Sequence, residues 1–412
     1  MLTVNDCTYT KDDLKRCEQQ FAMHSIWKTA EQWRIAVCPQ EIEKWIALLL
    51  YVKKRGGSIV PIHPSTPLAA AKKIAVQARC AYLFFHTFET PLTLSNPVST
   101  FPPGLVQFSS GTTGVPKQLE RSWSSIDEEL AAYTERMARV DVDTVVVACP
   151  VTHSYGLISG VLAGLSQDKE VVVLTAQNPK YVLKKLTDYP NHLLYGAPPL
   201  LYALAKLSNG DTLQAVMTSG TRLPEEWFQS IQSNSQMLLQ QYGCSEAGCI
   251  SIAMPLRFSE ELGVPLRHVQ AKAGTARNNP SEIQVTIGRR TINTGDLGYI
   301  DQDGALCFRE RLDDMINVAG LNVYPHEVEH VLREHPSVED AVVYKKADSY
   351  AGERVCAQVS ARTETLSLPE LRSYCISRLA PHQVPHEMTI VEEIAKSANG
   401  KVSRVKLGEA KG

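Results

Sequence analysis

Between residues 143 and 218 one pattern repeats: a short run of apolar or β-branched residues, then a stretch of helical length, then another run. Residues 143–148, 170–175, 192–195 and 215–218 read as strands, and 124–139 and 180–187 as helices beside them. Parallel neighbours need a long crossover and antiparallel ones do not, so strands alternating with helices predict mostly parallel sheets flanked by helices. The same reading extends upstream. Apolar residues recur at helical spacing over 12–22 and 41–52, and the second run stops at Arg55-Gly56-Gly57 ahead of a strand at 58–62.

After about Asn293 the pattern changes to hairpin pieces, 297–300 and 305–309, around the turn Asp301-Gln302-Asp303-Gly304. A domain edge is expected near Arg311. Beyond it come a helix from Pro325, a strand at 340–345, a helix at 369–379 and a strand at 388–391. The expectation is therefore an α/β chain, with a large N-terminal domain (1–310) of mostly parallel sheets and a small α+β domain (311–412).

Charge narrows the classes of partner. Lys and Arg number 42 against 44 Asp and Glu, a formal charge of -2, so no general field favours nucleic acid or an anionic membrane. The apolar stretch at 45–52 is far too short to cross a bilayer. Ten cysteines without a CxxC pair read as reduced thiols. The chain is expected to be cytoplasmic, with neither nucleic acid nor membrane as partner.

Phosphate recognition must then be local, and one segment supplies it. Phe108-Ser109-Ser110-Gly111-Thr112-Thr113-Gly114-Val115-Pro116-Lys117 crowds small and hydroxylated residues between an expected strand (104–108) and an expected helix. Glycines let backbone N–H groups wrap an anion, hydroxyls add donors and Lys117 adds charge. The order of residues is not that of a Walker A loop.

On this loop and five further motifs, in order, the chain resembles the adenylate-forming superfamily of acyl-CoA synthetases, nonribosomal-peptide adenylation domains and luciferases. The others are Lys54-Arg55-Gly56-Gly57-Ser58-Ile59-Val60-Pro61-Ile62, Gln241-Tyr242-Gly243-Cys244-Ser245-Glu246 and Asn293-Thr294-Gly295-Asp296. Arg311-Leu312-Asp313-Asp314 with Gly320 and Pro325-His326-Glu327-Val328-Glu329 follows, then Asn399-Gly400-Lys401-Val402-Ser403-Arg404. The resemblance implies ATP and Mg2+. Ser109, Ser110, Gly111, Thr112, Thr113, Gly114 and Lys117 would hold the phosphates, with Ser245 as a further donor. Tyr242, followed by Gly243, would stack on adenine, with Ser219-Gly220-Thr221 lining the other side of the base. Glu246 and Thr113 would hold the metal jointly with the phosphates. Asp296, assisted by Arg311, would accept from the ribose hydroxyls. Lys401 would bring an ammonium to the acid carboxylate and α-phosphate. Asp313 falls at the hinge of a mobile small domain, and Gly320 near the thiol channel. Arg404 is left without a role.

The chain is shorter than relatives before the phosphate loop and after Glu246, has Asn317 where many carry Lys, and has Ser397-Ala398 where Pro is frequent. The acid side is Cys149-Pro150-Val151-Thr152-His153-Ser154-Tyr155-Gly156-Leu157. No acidic residue lies between Asp143 and Asp168, so the amine of an α-amino acid would lack a counter-ion there. His153, Ser154 and Tyr155 as substrate-binding residues, with His153 also in the catalytic set beside Lys401 and Glu246, resemble those of aryl-acid ligases. Ser154 in place of the Asn usual for 2-hydroxybenzoates points toward the 3,4-dihydroxybenzoate ligases of petrobactin-type siderophore assembly. The implied reaction is adenylation of a small aromatic acid and transfer to the phosphopantetheine thiol of an aryl carrier protein. Transfer to free CoA, or nucleotide binding without catalysis, stays open.

Overall fold

A computed structural model of the chain describes residues 1–94, 102–109, 117–208, 213–312, 314–318, 321–348, 351–362, 366–396 and 402–409. These form two compact units. One holds the described residues up to 270 together with Val285–Ile292, and the other holds Ala271–Gln284 and the described residues from 293 on.

The first unit contains two sheets. In one, the strands run in the order Leu92–Thr93, Tyr82–Phe85, Arg34–Cys38, Ser58–Pro61, Gly104–Ser109, Lys117–Ser122, with parallel pairing at its centre. The helix Ile42–Arg55 crosses between two of them and ends where Gly56 takes a left-handed φ of 70°, the expected stop. A helix directly after the phosphate loop was expected, and here the structure corrects the sequence reading. Gly104–Ser109 turns back through the loop into Lys117–Ser122 as an antiparallel hairpin, with Ser109 opposite Lys117, and only then does the helix Trp123–Met137 begin. Leu119 and Arg121 point inward and Glu120 outward, a period of two too short and too polar to register as a strand.

In the other sheet parallel pairing runs through Leu2–Val4, Glu170–Val173, Thr144–Ala148, His192–Gly196, Leu213–Ser219 and Ser235–Cys244. Antiparallel strands flank these, Cys7–Tyr9 on one side and Gly248–Ala253 then Glu261–Pro265 on the other. Thr144–Ala148 is buried along its whole length, as expected for a central strand covered on both faces. Val146, Val172, Leu194 and Val216 from four neighbouring strands pack with Val182 and Leu186, Leu201 and Leu204, and Phe228 and Ile231 from three helices. Each such side chain contributes about 1.5–3 kcal/mol on burial.

An unforeseen element follows residues 149–154: a π-helix, Tyr155–Leu162, running into the helix Ala163–Ser166. Its glycines permit close approach to the sheet. A Cβ on Gly160 would lie 2.8 Å from Val147 Cγ2, and one on Gly164 2.7 Å from Val171 Cγ2.

In the second unit, Asp296 to Ile300 pair antiparallel with Leu306–Arg311 around the expected turn, where Asp301 Oδ1 accepts from the N–H of Asp303 and of Ala305. The C-terminal sheet runs Leu321–Val323, Ile316–Val318, Gly352–Ala361, Val338–Asp348, with Glu387–Val391 parallel to Gly352–Ala361. Val328 and Leu332 of the helix Pro325–Arg333, with Leu371 and Cys375 of Leu368–Ile376, cover it. Among the described residues no helix is long and apolar enough to cross a membrane.

Candidate functional site

Ligands of open parallel sheets lie beyond the carboxyl ends of the strands, and in the first unit the segments around His153, Gly220 and Tyr242 stand at or past such ends. Past Ala148, His153 N–H donates to Pro150 O and Leu157 N–H to His153 O, setting the start of the π-helix. The His153 ring is accessible to solvent yet closely walled by protein, and its centroid is 6.4 Å from that of His63. His63 follows the end of Ser58–Pro61, its Nδ1 accepting from Ser65 N–H at 3.2 Å, with Ser65 Oγ at 2.7 Å. Burial, and then the neighbouring His63, hold the His153 pKa below the usual imidazole value, and burial lowers that of His63. The two rings are thus a neutral pair at neutral pH.

Ser154 Oγ donates to Gln107 Oε1, and Gln107 Nε2 donates to Thr152 O at 3.2 Å. Tyr155 gives its hydroxyl proton to Met217 O at 2.6 Å, which leaves its ring face, 5.6 Å from the Tyr195 ring, as what it offers. Tyr195 and Tyr133 share a buried hydroxyl contact of 2.8 Å behind it.

The segments read as nucleotide-binding lie at two neighbouring strand ends of the same sheet. Gly220, after Ser219, has φ 93°, and a Cβ there would meet nothing within 4 Å, so the backbone borders open space; Thr221 beside it is exposed. Ser219 is in register with Gln241, one residue before Tyr242. Tyr242 is only 9% exposed. The register shifts at Gly243, whose Cβ would fall 2.2 Å from Gly248 O, so only glycine fits. Ser245, Glu246 and Ala247 then cap the hairpin closed by Cys244 opposite Gly248. Glu246 lines a cavity of about 360 Å³ together with Arg121, His268 and Arg290.

In the second unit the Thr-Gly-Asp motif explains itself locally. Thr294 Oγ1 donates to Ile283 O and accepts from Asp296 N–H, while Gly295 takes φ 72° and donates its N–H to Glu282 Oε1. Asp296, 7% exposed, accepts from Arg311 Nη1 at 2.8 Å. Arg404 sits at the centre of a network: Nε donates to Val343 O at 2.9 Å, Nη1 to Asp314 and Nη2 to Glu329, both at 2.8 Å.

Ser110, Gly111, Thr112, Thr113, Gly114, Asp313, Gly320 and Lys401 lie outside the described residues, as do the side chains of Ser109 and Lys117. The structure adds His63 and Gln107, which the sequence reading did not assign. His63 stands directly after the Val-Pro-Ile of a quoted motif and Gln107 two residues before Ser109, so position alone could have flagged both.

Residues 93–286 match the model of the AMP-binding enzyme family, and residues 327–401 that of the AMP-binding enzyme C-terminal domain. The chain is 36% identical, over 99% of both chains, to the 3,4-dihydroxybenzoate–[aryl-carrier protein] ligase of Bacillus anthracis. It is 25% identical to the 2-succinylbenzoate–CoA ligase of Lactococcus lactis, covering 77% of this chain and 73% of that one. Among solved structures, ATP-bound MatB of Rhodopseudomonas palustris superposes with a TM-score of 0.84 at 17% identity, over 99% of this chain and 95% of that one. The Bacillus subtilis o-succinylbenzoate CoA synthetase MenE with its acyl-adenylate gives 0.84 at 19%, over 100% and 95%.

Proposed function

This chain belongs to the family of AMP-binding enzymes, and on that premise we propose that it adenylates an aryl carboxylic acid, 3,4-dihydroxybenzoate, and passes it to an aryl carrier protein for siderophore assembly. The observation that carries this reading is the end-to-end likeness to a ligase of that acid and acceptor. The acid side supports it. Its groups, the imidazoles of His63 and His153, the Ser154–Gln107 pair and the Tyr155 ring, are uncharged at neutral pH, suited to ring hydroxyls and without a carboxylate for an amine. Ten cysteines without a CxxC pair fit a reducing cytoplasm.

In the first unit, open backbone at Gly220 with Tyr242 beside it suits an adenine base; in the second unit, the Asp296 carboxylate fixed by Arg311 suits the ribose hydroxyls. Mg2+, held by Glu246 and Thr113, would neutralise phosphate charge. A carboxylate oxygen of the acid attacks the α-phosphorus, the bond to the β-phosphate bridging oxygen breaks and pyrophosphate leaves, with Lys401 stabilising the added charge. The thiol sulfur then attacks the acyl carbon, its proton goes to solvent and AMP departs with the carboxylate oxygen. The second step belongs to the pose reached when the small domain, 311–412, swings about Asp313.

The test is acid-dependent ATP–pyrophosphate exchange over hydroxybenzoates, cinnamates, fatty acids and amino acids, with Lys401→Ala as blank. Exchange highest with 3,4-dihydroxybenzoate supports the reading. Exchange highest with a fatty or amino acid overturns the aryl assignment. A CoA-ligase relative makes free CoA the rival acceptor, so the loaded thiol is compared between CoA and phosphopantetheinylated carrier protein.

A further inference from the structure

The first unit buries an ion pair that the reaction as described does not use. Arg121, 8% exposed, sits on the strand that leaves the phosphate loop, and Glu129, 1% exposed, on the helix Trp123–Met137. Arg121 Nη1 lies 2.6 Å from Glu129 Oε2. The other carboxylate oxygen, Oε1, accepts from Cys249 N–H at 2.8 Å, on the second residue of the strand Gly248–Ala253 that leaves the turn carrying Glu246. Gly248 completes the contact: with φ 76°, its Cβ would lie 2.2 Å from Glu129 Oε2 and 2.4 Å from Arg121 Nη1, so the turn closes directly on the pair. Arg121 and Glu246 also line one cavity.

One carboxylate thereby references two segments to the same helix. The strand leaving the phosphate loop is held through Arg121, and the arm of the Glu246 turn through Cys249. A buried pair is poor value as a stabiliser, because desolvation consumes the Coulomb gain and apolar residues of like volume do as well. An ion pair at one oxygen and a hydrogen bond at the other, both from one buried carboxylate, by contrast, fix distance and orientation, which an apolar contact does not. We propose that Arg121 and Glu129 are positioning residues that set the Glu246 turn relative to the strand Lys117–Ser122 for Mg·ATP. The inference rests on the reading of Glu246 as a ligand of the metal and phosphates.

The experiment measures the Kd of Mg·ATP by calorimetry and the thermal midpoint of the full chain for Glu129→Gln, Arg121→Met, their double variant and Glu246→Gln. Each single substitution leaves one buried charge uncompensated and lowers the midpoint. The double variant removes both charges and recovers it. The expected result is a Kd about tenfold weaker, ~1.4 kcal/mol, in Glu129→Gln that stays weak in the double variant, while the KM for the acid changes less than about twofold. A Kd that recovers with the midpoint would make the pair merely structural and overturn the proposal. Unchanged Kd in the pair variants alongside a weakened Glu246→Gln overturns it too. Unchanged Kd in Glu246→Gln would instead remove the metal reading beneath it.

Discussion

His153 and His63 meet as two imidazoles whose pKa values are both held below the ordinary value, chiefly by burial. The unfolded chain therefore binds their protons first as pH falls. Stability from this pair is intact above the unfolded value of about 6.5 and is lost as pH drops through it toward the folded values. The KM for the aryl acid should accordingly stay flat from pH 8 to about 6.5 and rise below it, with the KM for ATP tracking pH differently; an acid KM that changes between pH 7 and 8 would contradict a neutral pair. His153→Ala should raise the acid KM about tenfold or more and leave the ATP KM within about twofold, as its proposed place on the acid side requires. At Thr294 one hydroxyl serves as donor to Ile283 O and acceptor from Asp296 N–H. Thr294→Val should cost about 1–3 kcal/mol in denaturant unfolding, the loss of two partners at a buried site.

Elements show why some of this was legible and some was not. The parallel strands of the first unit and the helix Ile42–Arg55 declare themselves through β-branched runs and through apolar spacing with a glycine stop. The strand Lys117–Ser122 did not, because its inward residues are one Leu and one Arg, and the π-helix did not, because its wider turn leaves no periodic signature in a stretch buried from Gly156 to Leu162. The π-helix depends on glycine. Gly160→Val should destabilise by about 1–3 kcal/mol through overpacking on Val147, and Val147→Ala in the same chain should restore part of it, a coupling that additive loss would exclude. In the second unit Arg404 joins the short helix Arg404–Glu409 to Asp314, Glu329 and the strand Val338–Asp348. Arg404→Met should remove the guanidinium that Asp314 and Glu329 share, leaving Glu329 with Arg333, and cost about 1–3 kcal/mol, read as faster hydrogen exchange of Val338–Asp348. Uniform exchange across both units would refute that local role.

Across the whole molecule, six ordered motifs made the class of chemistry readable from residues alone, whereas the acid pocket was readable only in part. Cys149 to Leu157 advertise themselves as one segment, but His63 follows a strand of another sheet and Gln107 lies on one, so each is flagged only by its place beside a motif and not by nearness to His153 in the chain. The proposed alternation of the small domain belongs to this scale. Lys401→Ala should abolish pyrophosphate exchange while thiol transfer from a supplied acyl-adenylate keeps most of its rate. Equal loss of both would argue against two poses.

The hairpin that frames residues 110–116 has one more implication. Because Ser109 and Lys117 stand on the same rung, the intervening segment begins and ends at a fixed spacing set by the sheet. Its length and composition can therefore vary without sliding either strand, and changing loop length costs little closure entropy. On the proposed reading, this segment is a replaceable cassette between two strands that keep their register, so selection can retune phosphate binding while the α/β framework stays unaltered.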